Sequence, residues 1–397
     1  MTSNDWNETT LGEISIGNKG NYGIAASAVE YSEDLYTYLR ITDIDDDGKL
    51  LKDTLKSVDD DKAEKYLLKP NDIVFARTGN STGRSYFYDG SDGPLVYAGF
   101  LIKFSLDPEK VNPKYIKYFT LSNEYKGWVS SFSTGSTRGN INAKTYADMK
   151  IKLPPRGQQD FLVKILSSID EKIDINNQLN KTLEELTKAI FKQWFIDFEF
   201  PNKNGEPYKS SGGQLVESNL GLIPEGWHVG RLSDLVEIRY GKDHKKLKDG
   251  DIPVYGSGGV MRYVDTPLYT SESVLVPRKG TLNNVIYTNQ PFWSVDTMFY
   301  SAMKERDIAK YIYCFLKTKD LASMNTGSAV PSMTTALLND MPIITKPLDI
   351  INSFDKILTP IFSQISLHLK ENEKLKQIRD NLFSKLMSGE ISVPLDN

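Results

Sequence analysis

The chain has 397 residues, one cysteine, three histidines and a net charge of −4 at neutral pH. This length is sufficient for two or three domains. The single cysteine excludes internal disulfides and cysteine-rich zinc sites, and the histidines are too scattered to form a metal cluster. The negative charge argues weakly against a protein that coats nucleic acid without sequence preference. Neither a secretory leader nor an apolar membrane span is recognisable, so a cytoplasmic protein is expected.

The first unusual stretch along the chain is the acidic run DIDDDG, which begins at Asp43. It satisfies the first half of a calcium-binding EF-hand loop, with ligand-type residues at Asp43, Asp45 and Asp47 and the turn glycine at Gly48. Thr54, however, stands where the bidentate glutamate of such a loop is required, and the residues before the run predict a strand rather than a helix. The sequence therefore predicts a strand end and an acidic turn, not a calcium site.

The second half of the chain repeats the first. DWNETTLGEI matches GWHVGRLSDL, DIVFARTGN matches SVLVPRKGT, and STGSTRGNI matches NTGSAVPSM. The second of these matches pairs Arg77 with Arg278. Both halves mix short β-rich runs with Gly, Asn and Ser turns and helical segments, which is typical of α/β (α+β) domains. The repeat therefore predicts two duplicated globular domains.

Each half ends in a long helical pattern, with apolar residues at three- and four-residue steps over about 55 Å of helix. The two helices are expected to pack as an antiparallel coiled coil, related by the pseudo-twofold axis of the duplication, and two separate core helices are the alternative. Asn176 and His368 fall on the same stripe, where a polar residue sets the register. Pro360 is expected to kink the second helix or to end its first turn. The predicted seam consists of Ile165, Ile169, Ile173, Leu179, Leu183, Leu186, Ile190, Ile357, Ile361, Ile365, Leu375, Ile378, Leu382 and Leu386.

These patterns divide the chain into five segments. The segment between the first helix and the second globular domain is rich in Gly, Pro, Ser and Asn, and is interpreted as a linker that passes from ordered to flexible. The predicted organisation is a globular domain at 1–155, a long helix at 156–198, the linker at 199–226, a second globular domain at 227–347, and a second long helix with the C-terminal tail at 348–390.

The common motifs of catalysis are missing from the sequence. GEISIGNK follows the spacing of a phosphate-binding loop as far as Gly17, but Asn18 stands where lysine is required. There is no glycine-rich dinucleotide motif and no Gly-x-Ser-x-Gly nucleophile elbow. LPPR lacks the Asn/Asp-Pro-Pro-aromatic pattern with which DNA amino-methyltransferases hold a flipped base. Catalysis by this chain alone is therefore not expected.

Once these catalytic motifs are excluded, the residues that indicate a function are the polar side chains of two glycine-rich loops. FARTGNSTGRSYFY places arginine, asparagine and hydroxyl side chains on a glycine-rich loop after a strand, and FSTGSTRGNINAK forms a second such loop. Arginine suits guanine edges and phosphates, and asparagine suits adenine. A solvated surface loop is the alternative for each, but their matched positions in duplicated domains favour DNA contact. The candidate DNA-binding residues are Arg77, Thr78, Asn80, Ser81, Thr82, Arg84, Ser136, Thr137, Arg138, Asn140, Lys245, Lys246, Arg278, Lys279, Asn283 and Asn284.

Over nearly its whole length, the chain resembles a specificity subunit of a type I restriction-modification system. The resemblance is carried by AIFKQWFIDFEF, ESNLGLIPEGWHVGRLSDLVEIRYGK and RDNLFSKLMSGEI, with KLPP and QQDFLVKI at the entry to the first long helix. It implies two target-recognition domains, at 1–155 and 227–347, each of which reads one half of a split site in double-stranded DNA. It also implies that two antiparallel spacer helices join the domains and that their length sets the gap between the half-sites.

The same resemblance implies a subunit that is not itself an enzyme. Two methyltransferase subunits are expected to dock on the helices, and restriction subunits to join that core. S-adenosylmethionine, magnesium and ATP then belong to these partners, with no cofactor or metal in this chain, and the methylated base is adenine. Two alternatives remain open: a single-chain DNA methyltransferase or nuclease with an unrecognised site, and a coiled-coil protein-binding scaffold that makes no DNA contact.

Overall fold

The computed structural model describes residues 6–132, 139–324 and 332–387, with side chains up to residue 385. The chain divides into two compact units. The first unit comprises Met1–Ile175 with Glu371–Asn397, and the second comprises Asn176–Lys370. Each unit therefore contains one half of each long helix. The finer domain bounds stay a prediction.

The first unit combines strands with short helices that precede the first long helix. Its strands are β1 (Asn7–Thr10), β2 (Asn21–Tyr22), β3 (Ala28–Val29), β4 (Tyr36–Leu39), β5 (Lys56–Val58), β6 (Asp72–Ala76), β7 (Ser85–Tyr88), β8 (Leu95–Tyr97), β9 (Leu101–Ser105) and β10 (Lys150–Leu153). Its helices are α1 (Pro113–Phe119), α2 (Asn123–Ser130), α3 (Ala143–Ala147), the first part of α4 (Arg156–Phe195) and, from residue 371, the end of the second long helix. Short 3-10 helices cover Ile16–Asn18, Lys52–Thr54, Ala63–Tyr66 and Gly79–Ser81.

Two sheets of the first unit share their cores with the short helices. Among the described residues they have the strand orders β2-β9-β6-β7 and β3-β5-β4-β8, and β1 pairs with β10. All five residues of β6 (DIVFA) are buried, as is typical of a central strand whose sequence is mostly apolar. The helices start at polar caps: the side chains of Asn112, Ser122 and Asn142 accept hydrogen bonds from the first-turn N–H groups of α1, α2 and α3.

The second unit contains the remaining elements. Its strands are β11 (Leu215–Ser218), β12 (Gly221–Pro224), β13 (His228–Arg231), β14 (Val236–Tyr240), β15 (Ile252–Gly256), β16 (Gly259–Val264), β17 (Ser273–Pro277), β18 (Ile286–Thr288), β19 (Trp293–Ser294), β20 (Met298–Met303) and β21 (Pro342–Lys346). Its helices are the second part of α4, from residue 176, then α5 (Leu232–Leu235), α6 (Ala309–Lys317), α7 (Thr335–Asn339) and the first part of α8 (Leu348–Met387).

The two units repeat one sheet strand for strand. The order β14-β20-β17-β18 in the second unit corresponds to β2-β9-β6-β7 in the first, and the pair β13-β21 corresponds to β1-β10. In these two matched sheets, every neighbouring pair is antiparallel. The prediction of duplicated α/β (α+β) domains with two long helices is confirmed.

The segment at 199–226 is folded, so the prediction that it becomes flexible is wrong. β11 and β12 form an antiparallel hairpin. Phe200 stacks on Tyr208, with ring centroids 4.7 Å apart, and lies 4.8 Å from the ring of Trp227. Burial of these aromatic rings orders the segment, whereas its Gly, Pro and Ser content alone suggested a loose linker.

The buried stripe of the two long helices differs from the predicted seam. Ile173 is buried, but Leu179, Leu186, Ile357 and Ile378 are exposed, so the prediction is wrong at those positions. The other predicted seam residues are half-buried, except for Leu386, whose side chain lies outside the described residues. Polar side chains occupy much of the buried stripe instead: Asp170, Asn176, Asn180, Thr187, Asp355, His368, Asn372 and Arg379.

The polar stripe is held together by hydrogen bonds within each unit. In the second unit, His368 Nδ1 lies 2.8 Å from Asn180 Oδ1, which joins α8 to α4. The placement of Asn176 and His368 on the buried stripe agrees with the prediction. Pro360 lies inside α8, and the helix continues past it. None of the helices in the described ranges is long and apolar enough to cross a membrane.

Candidate nucleic-acid interface

Arg77 and Arg278 occupy equivalent backbone positions, each directly after a central strand. The N–H of Arg77 donates to the carbonyl of Phe100 at 3.1 Å, and the N–H of Arg278 donates to the carbonyl of Thr297 at 2.8 Å. The carbonyl of each arginine in turn accepts an N–H at 2.9 Å, from Ile141 and Met333 respectively. The backbone around both arginines is therefore fixed on both sides by the same hydrogen-bond pattern.

Each arginine also lies over a tyrosine ring. The guanidinium carbon of Arg77 lies 5.0 Å from the ring centroid of Tyr22, and that of Arg278 lies 5.5 Å from the ring centroid of Tyr240. The rings are 43% and 52% exposed, so both arginine–tyrosine pairs lie at the surface. The attraction between cation and ring holds the guanidinium in place without using its N–H donors. Of these donors, Nη1 of Arg278 makes one long hydrogen bond, at 3.4 Å, to the carbonyl of Asp296. Within the described residues, the buried Nε of Arg77 has no hydrogen-bond partner.

The two tyrosines were not predicted from the sequence, although a repeated dipeptide marks them. A glycine follows each tyrosine, as Gly23 and Gly241. A Cβ atom on Gly23 would lie 2.2 Å from the carbonyl oxygen of Tyr97, and one on Gly241 would lie 2.0 Å from that of Val295. Only glycine fits such a close approach between two backbone segments. The repeated Tyr-Gly therefore marks the point where the edge strand passes close to a segment of another sheet, at the end of β8 in the first unit and just after β19 in the second.

Two buried tyrosines hold the ends of the Arg77 loop. The hydroxyl of Tyr146 donates to the carbonyl of Ala76 at 3.0 Å, and the hydroxyl of Tyr125 donates to the carbonyl of Gly83 at 2.7 Å. Burial raises the pKa of both hydroxyls above their ordinary value, so both remain neutral donors. The loop that carries Arg77 is therefore anchored to the core at each end.

The structure brings most of the other predicted residues of the first unit together around Arg77. Thr78 forms an antiparallel bridge with Asn140, and the hydroxyl of Thr82 lies 3.0 Å from the carbonyl of Gly139. Asn80 is exposed, whereas Ser81 is buried. The predicted residues Ser136, Thr137 and Arg138 lie outside the described residues. The two loops identified in the sequence thus meet at the end of the sheet where β6 ends.

Arg84 has a structural environment rather than that of a ligand-reading side chain. Its Nε donates to Asp46 Oδ1 at 2.8 Å and its Nη1 donates to the carbonyl of Ile44 at 3.0 Å. Both partners belong to the acidic run, which therefore fixes the direction of this guanidinium. We assign Arg84 to the support of the loop.

The carboxylates of the acidic run have protein partners. Asp43 pairs with Arg40, and Asp45 accepts the backbone N–H groups of Asp47 and Lys49. Asp47 pairs with two cations of α8 that belong to the same unit. The run therefore attaches the sheets of the first unit to its helical part. Among the described residues, no group of three or more His, Cys, Asp or Glu side chains is arranged to hold a metal ion.

In the second unit, the predicted residues divide into supporting and exposed side chains. The amide of Asn283 donates to Asp320 Oδ1 at 3.0 Å, and that of Asn284 donates to the carbonyl of Ser257 at 2.8 Å, so both asparagines brace the loop. Lys279, next to Arg278, is exposed. Lys245 and Lys246 are exposed on the loop that follows Tyr240. The exposed cations are therefore carried by the loops that flank Arg278 and Tyr240.

Replacement of Gly280 by alanine should destabilise the second loop. Gly280 has a φ of +86°, and a Cβ there would lie 2.8 Å from Ser257 Oγ. The left-handed backbone alone should lower the free energy of unfolding by about 1–2 kcal/mol, and the contact with Ser257 should add to that loss. The measurement is urea unfolding beside Gly258→Ala, a control whose Cβ would meet nothing within 4 Å. Equal stability of the two variants would contradict the geometry.

Comparison with known proteins places this arrangement in a family. A model of the family described as type I restriction modification DNA specificity domain matches residues 3–185 and 224–377. The specificity subunit of the type I restriction enzyme HindI from Haemophilus influenzae is 23% identical, with 98% of this chain and all of that protein covered. The MjaIX specificity subunit from Methanocaldococcus jannaschii is 24% identical, with 70% of this chain and 69% of that protein covered.

A solved structure shares the fold. The type I restriction-modification S subunit from M. genitalium superposes with a TM-score of 0.54 at 17% sequence identity, over 96% of both chains. The relatives are specificity subunits, which implies a non-catalytic role and does not favour a single-chain methyltransferase or nuclease. The family match covers both copies of the duplicated sheet and most of both long helices. The chain therefore belongs to the family of type I restriction-modification DNA specificity subunits, and its function is DNA sequence recognition.

Proposed function

We propose that each unit reads one half of a split site in double-stranded DNA, through the surface around its arginine–tyrosine pair. The observation that carries this proposal is the repetition of the whole arrangement: the same strand order, the same two backbone hydrogen bonds and an exposed tyrosine under each guanidinium. Arginine reads guanine through two parallel hydrogen bonds in the major groove. A guanidinium held by a ring loses less entropy when it makes those bonds.

The surroundings of the arginines differ, which supports two different half-site sequences. The first unit places Thr78, Asn80 and Asn140 near Arg77, whereas the second places Lys279 beside Arg278. Asparagine pairs with adenine, and lysine contacts guanine or phosphates. The exposed lysines Lys245 and Lys246 are suited to phosphates, which set the position of a reader without carrying sequence information.

We also propose that this subunit binds the other subunits of a cytoplasmic restriction-modification complex along its long helices. Exposed apolar side chains on α4 and α8 support this, because a partner that covers them would bury their apolar surface. In the second unit these side chains include Leu179, Leu186, Leu367 and Leu369. Two methyltransferase subunits would bind S-adenosylmethionine and methylate adenine, and restriction subunits would bind ATP and magnesium. This chain would supply sequence recognition and the scaffold.

Lengthening both helices should lengthen the gap in the recognised site. Insertion of seven residues after Ile175 in α4 and after Lys370 in α8 adds two helical turns, on the order of 10 Å, and leaves the contacts inside each unit unchanged. We expect a gap longer by about three base pairs, at roughly 3.4 Å per base pair, with both half-site sequences unchanged. Methylation mapping with the assembled complex measures this. An unchanged gap would contradict the proposed spacer role.

The experiment that tests the proposed function is reconstitution. The full chain is combined with its cognate methyltransferase subunit and presented with a library of duplex DNA. We expect the complex to retain duplexes with two short conserved sequences at a fixed separation, and the isolated methyltransferase subunit to retain none of them. Retention of no split sequence by the complex would overturn the proposal.

A further inference from the structure

Phe100 differs from every other phenylalanine in the chain. All 17 phenylalanines lie in the described residues, and Phe100 alone is exposed, at 59%. An exposed phenylalanine forgoes the hydrophobic stabilisation that burial would provide. Single exposed apolar residues are common on protein surfaces, so exposure by itself assigns no role to Phe100. The position of Phe100 beside Arg77 is what indicates a role.

The backbone fixes Phe100 at the end of the sheet that carries Arg77. Its carbonyl accepts the N–H of Arg77, and it occupies the tight turn in which the N–H of Leu101 donates to the carbonyl of Ala98 at 2.8 Å. Leu101 is fully buried. The carbonyl of Leu101 accepts the N–H of Gly23, the residue after Tyr22. The backbone of Phe100 is therefore held beside the arginine–tyrosine pair, and its exposed ring cannot withdraw into the core without breaking this turn.

The matched position in the second unit carries a different side chain. Thr297 makes the same backbone hydrogen bond to Arg278, and its side chain is half-buried. The duplication thus provides an internal comparison, in which the backbone is shared and the exposed aromatic ring belongs to the first unit alone. A structural requirement of the shared turn would apply to both copies and does not explain the ring.

We propose that Phe100 reads the 5-methyl group of a thymine in the first half-site, next to the base contacted by Arg77. The inference rests on the proposed DNA reading by Arg77. Arginine recognises guanine in the major groove, and the same groove displays the thymine methyl, which apolar side chains including phenylalanine contact. A ring fixed beside the guanidinium faces the same groove and reaches a neighbouring base pair. Thr297 offers a much smaller apolar surface, so the second half-site lacks this contact.

The test replaces thymine with uracil, which lacks only the 5-methyl group. The full chain is assembled with its methyltransferase subunit and bound to duplexes of its split site, with each thymine of either strand replaced in turn. We expect one position in the first half-site to weaken binding by about fourfold, the effect of one lost buried methyl group. With Phe100→Thr, which installs the residue of the matched position, uracil at that position should have no further effect.

Tyr31→Thr is the control, because Tyr31 is another exposed aromatic residue of the first unit and should keep the full response to uracil. A first half-site without thymine on either strand, or one in which no uracil substitution affects wild-type binding, would overturn the proposal. The uracil scan of the wild-type complex needs no variant, so a folding defect in Phe100→Thr cannot obscure its result. If the split site is bound and Arg77→Ala weakens it while uracil has no effect, the role of Phe100 fails and the proposed function stands.

Discussion

Replacement of Arg379 by methionine should lower the free energy of unfolding by about 1.5–3 kcal/mol, because it removes the charge-assisted hydrogen bonds of a buried guanidinium to two carboxylates. Arg379 lies in the α8 part of the first unit and is 4% exposed. Its guanidinium lies 3.1 Å from carboxylate oxygens of both Asp170, on α4, and Asp47, in the acidic run. One side chain therefore links two helices and a sheet-bearing loop within this unit.

The matched control is Lys172→Met. Lys172 lies two residues after Asp170 on the same helix and pairs with Glu371 of α8 at 3.5 Å, but both side chains are nearly half exposed. Solvent screens such a pair, so the loss should be about 0–1 kcal/mol. Urea unfolding of the full chain, with hydrogen exchange of residues 156–175, measures both variants. Equal losses would show that the buried network does not stabilise the unit.

The same network should make the first unit sensitive to acid. Burial by itself raises the pKa of Asp170, but Lys117 and Arg379 outweigh this and hold the pKa below its ordinary value. Asp47 also has a lowered pKa, since Lys376 and Arg379 outweigh its burial. A lowered folded-state pKa stabilises the protein above the unfolded value of about 4, and this stabilisation is lost as the pH falls further. The acid-dependent loss should be smaller in Arg379→Met.

Replacement of Arg77 or Arg278 by alanine should weaken binding to the split site by about 1–3 kcal/mol, or roughly fivefold to 150-fold, with a separate consequence for each half-site. Arg77→Ala should relax the sequence preference of the half-site read by the first unit, and Arg278→Ala that of the other. Lysine at either position keeps the charge but lacks the planar fork. Arg77→Lys should therefore retain phosphate attraction and still lose base discrimination.

Arg84→Ala is the control for these substitutions, because Arg84 lies on the same loop with its guanidinium engaged by Asp46 and Ile44. We expect it to leave the preference of both half-sites unchanged. Competition binding of the assembled complex, with duplexes altered at one base pair at a time, provides the measurement. Loss of discrimination in both half-sites from either single arginine variant would contradict a division of labour between the units.

The sequence was informative wherever a feature is local or repeated. Two long helices were recognisable because apolar residues recur at steps of three and four, and each pattern lies in a helix of 40 residues. The duplication was recognisable from matched motifs, and it located Arg77 and Arg278 at equivalent positions. The spatial relation between the two units was not recognisable from the sequence, and the pseudo-twofold axis stays a prediction.

The sequence was misleading wherever a polar side chain has a distant partner. Asn180 and Arg379 resemble solvent-facing helix residues, but each is buried with a partner more than 180 positions away in the chain. For the same reason, the exposed Leu179 and Leu186 were wrongly placed at the helix seam. Arg84 resembled a base-reading residue because it follows a glycine-rich loop, and its engagement by Asp46 could not be read from the motif.

The most direct test of split-site recognition is methylation mapping in cells with the wild-type chain, with Arg77→Lys, and without the chain. We expect the wild-type chain to direct methylation to two short sequences at a fixed gap, and all methylation at this motif to disappear without the chain. Arg77→Lys should broaden one half of the motif and leave the other half and the gap unchanged. An uninterrupted motif, or a motif that persists without this chain, would contradict sequence recognition by two duplicated units.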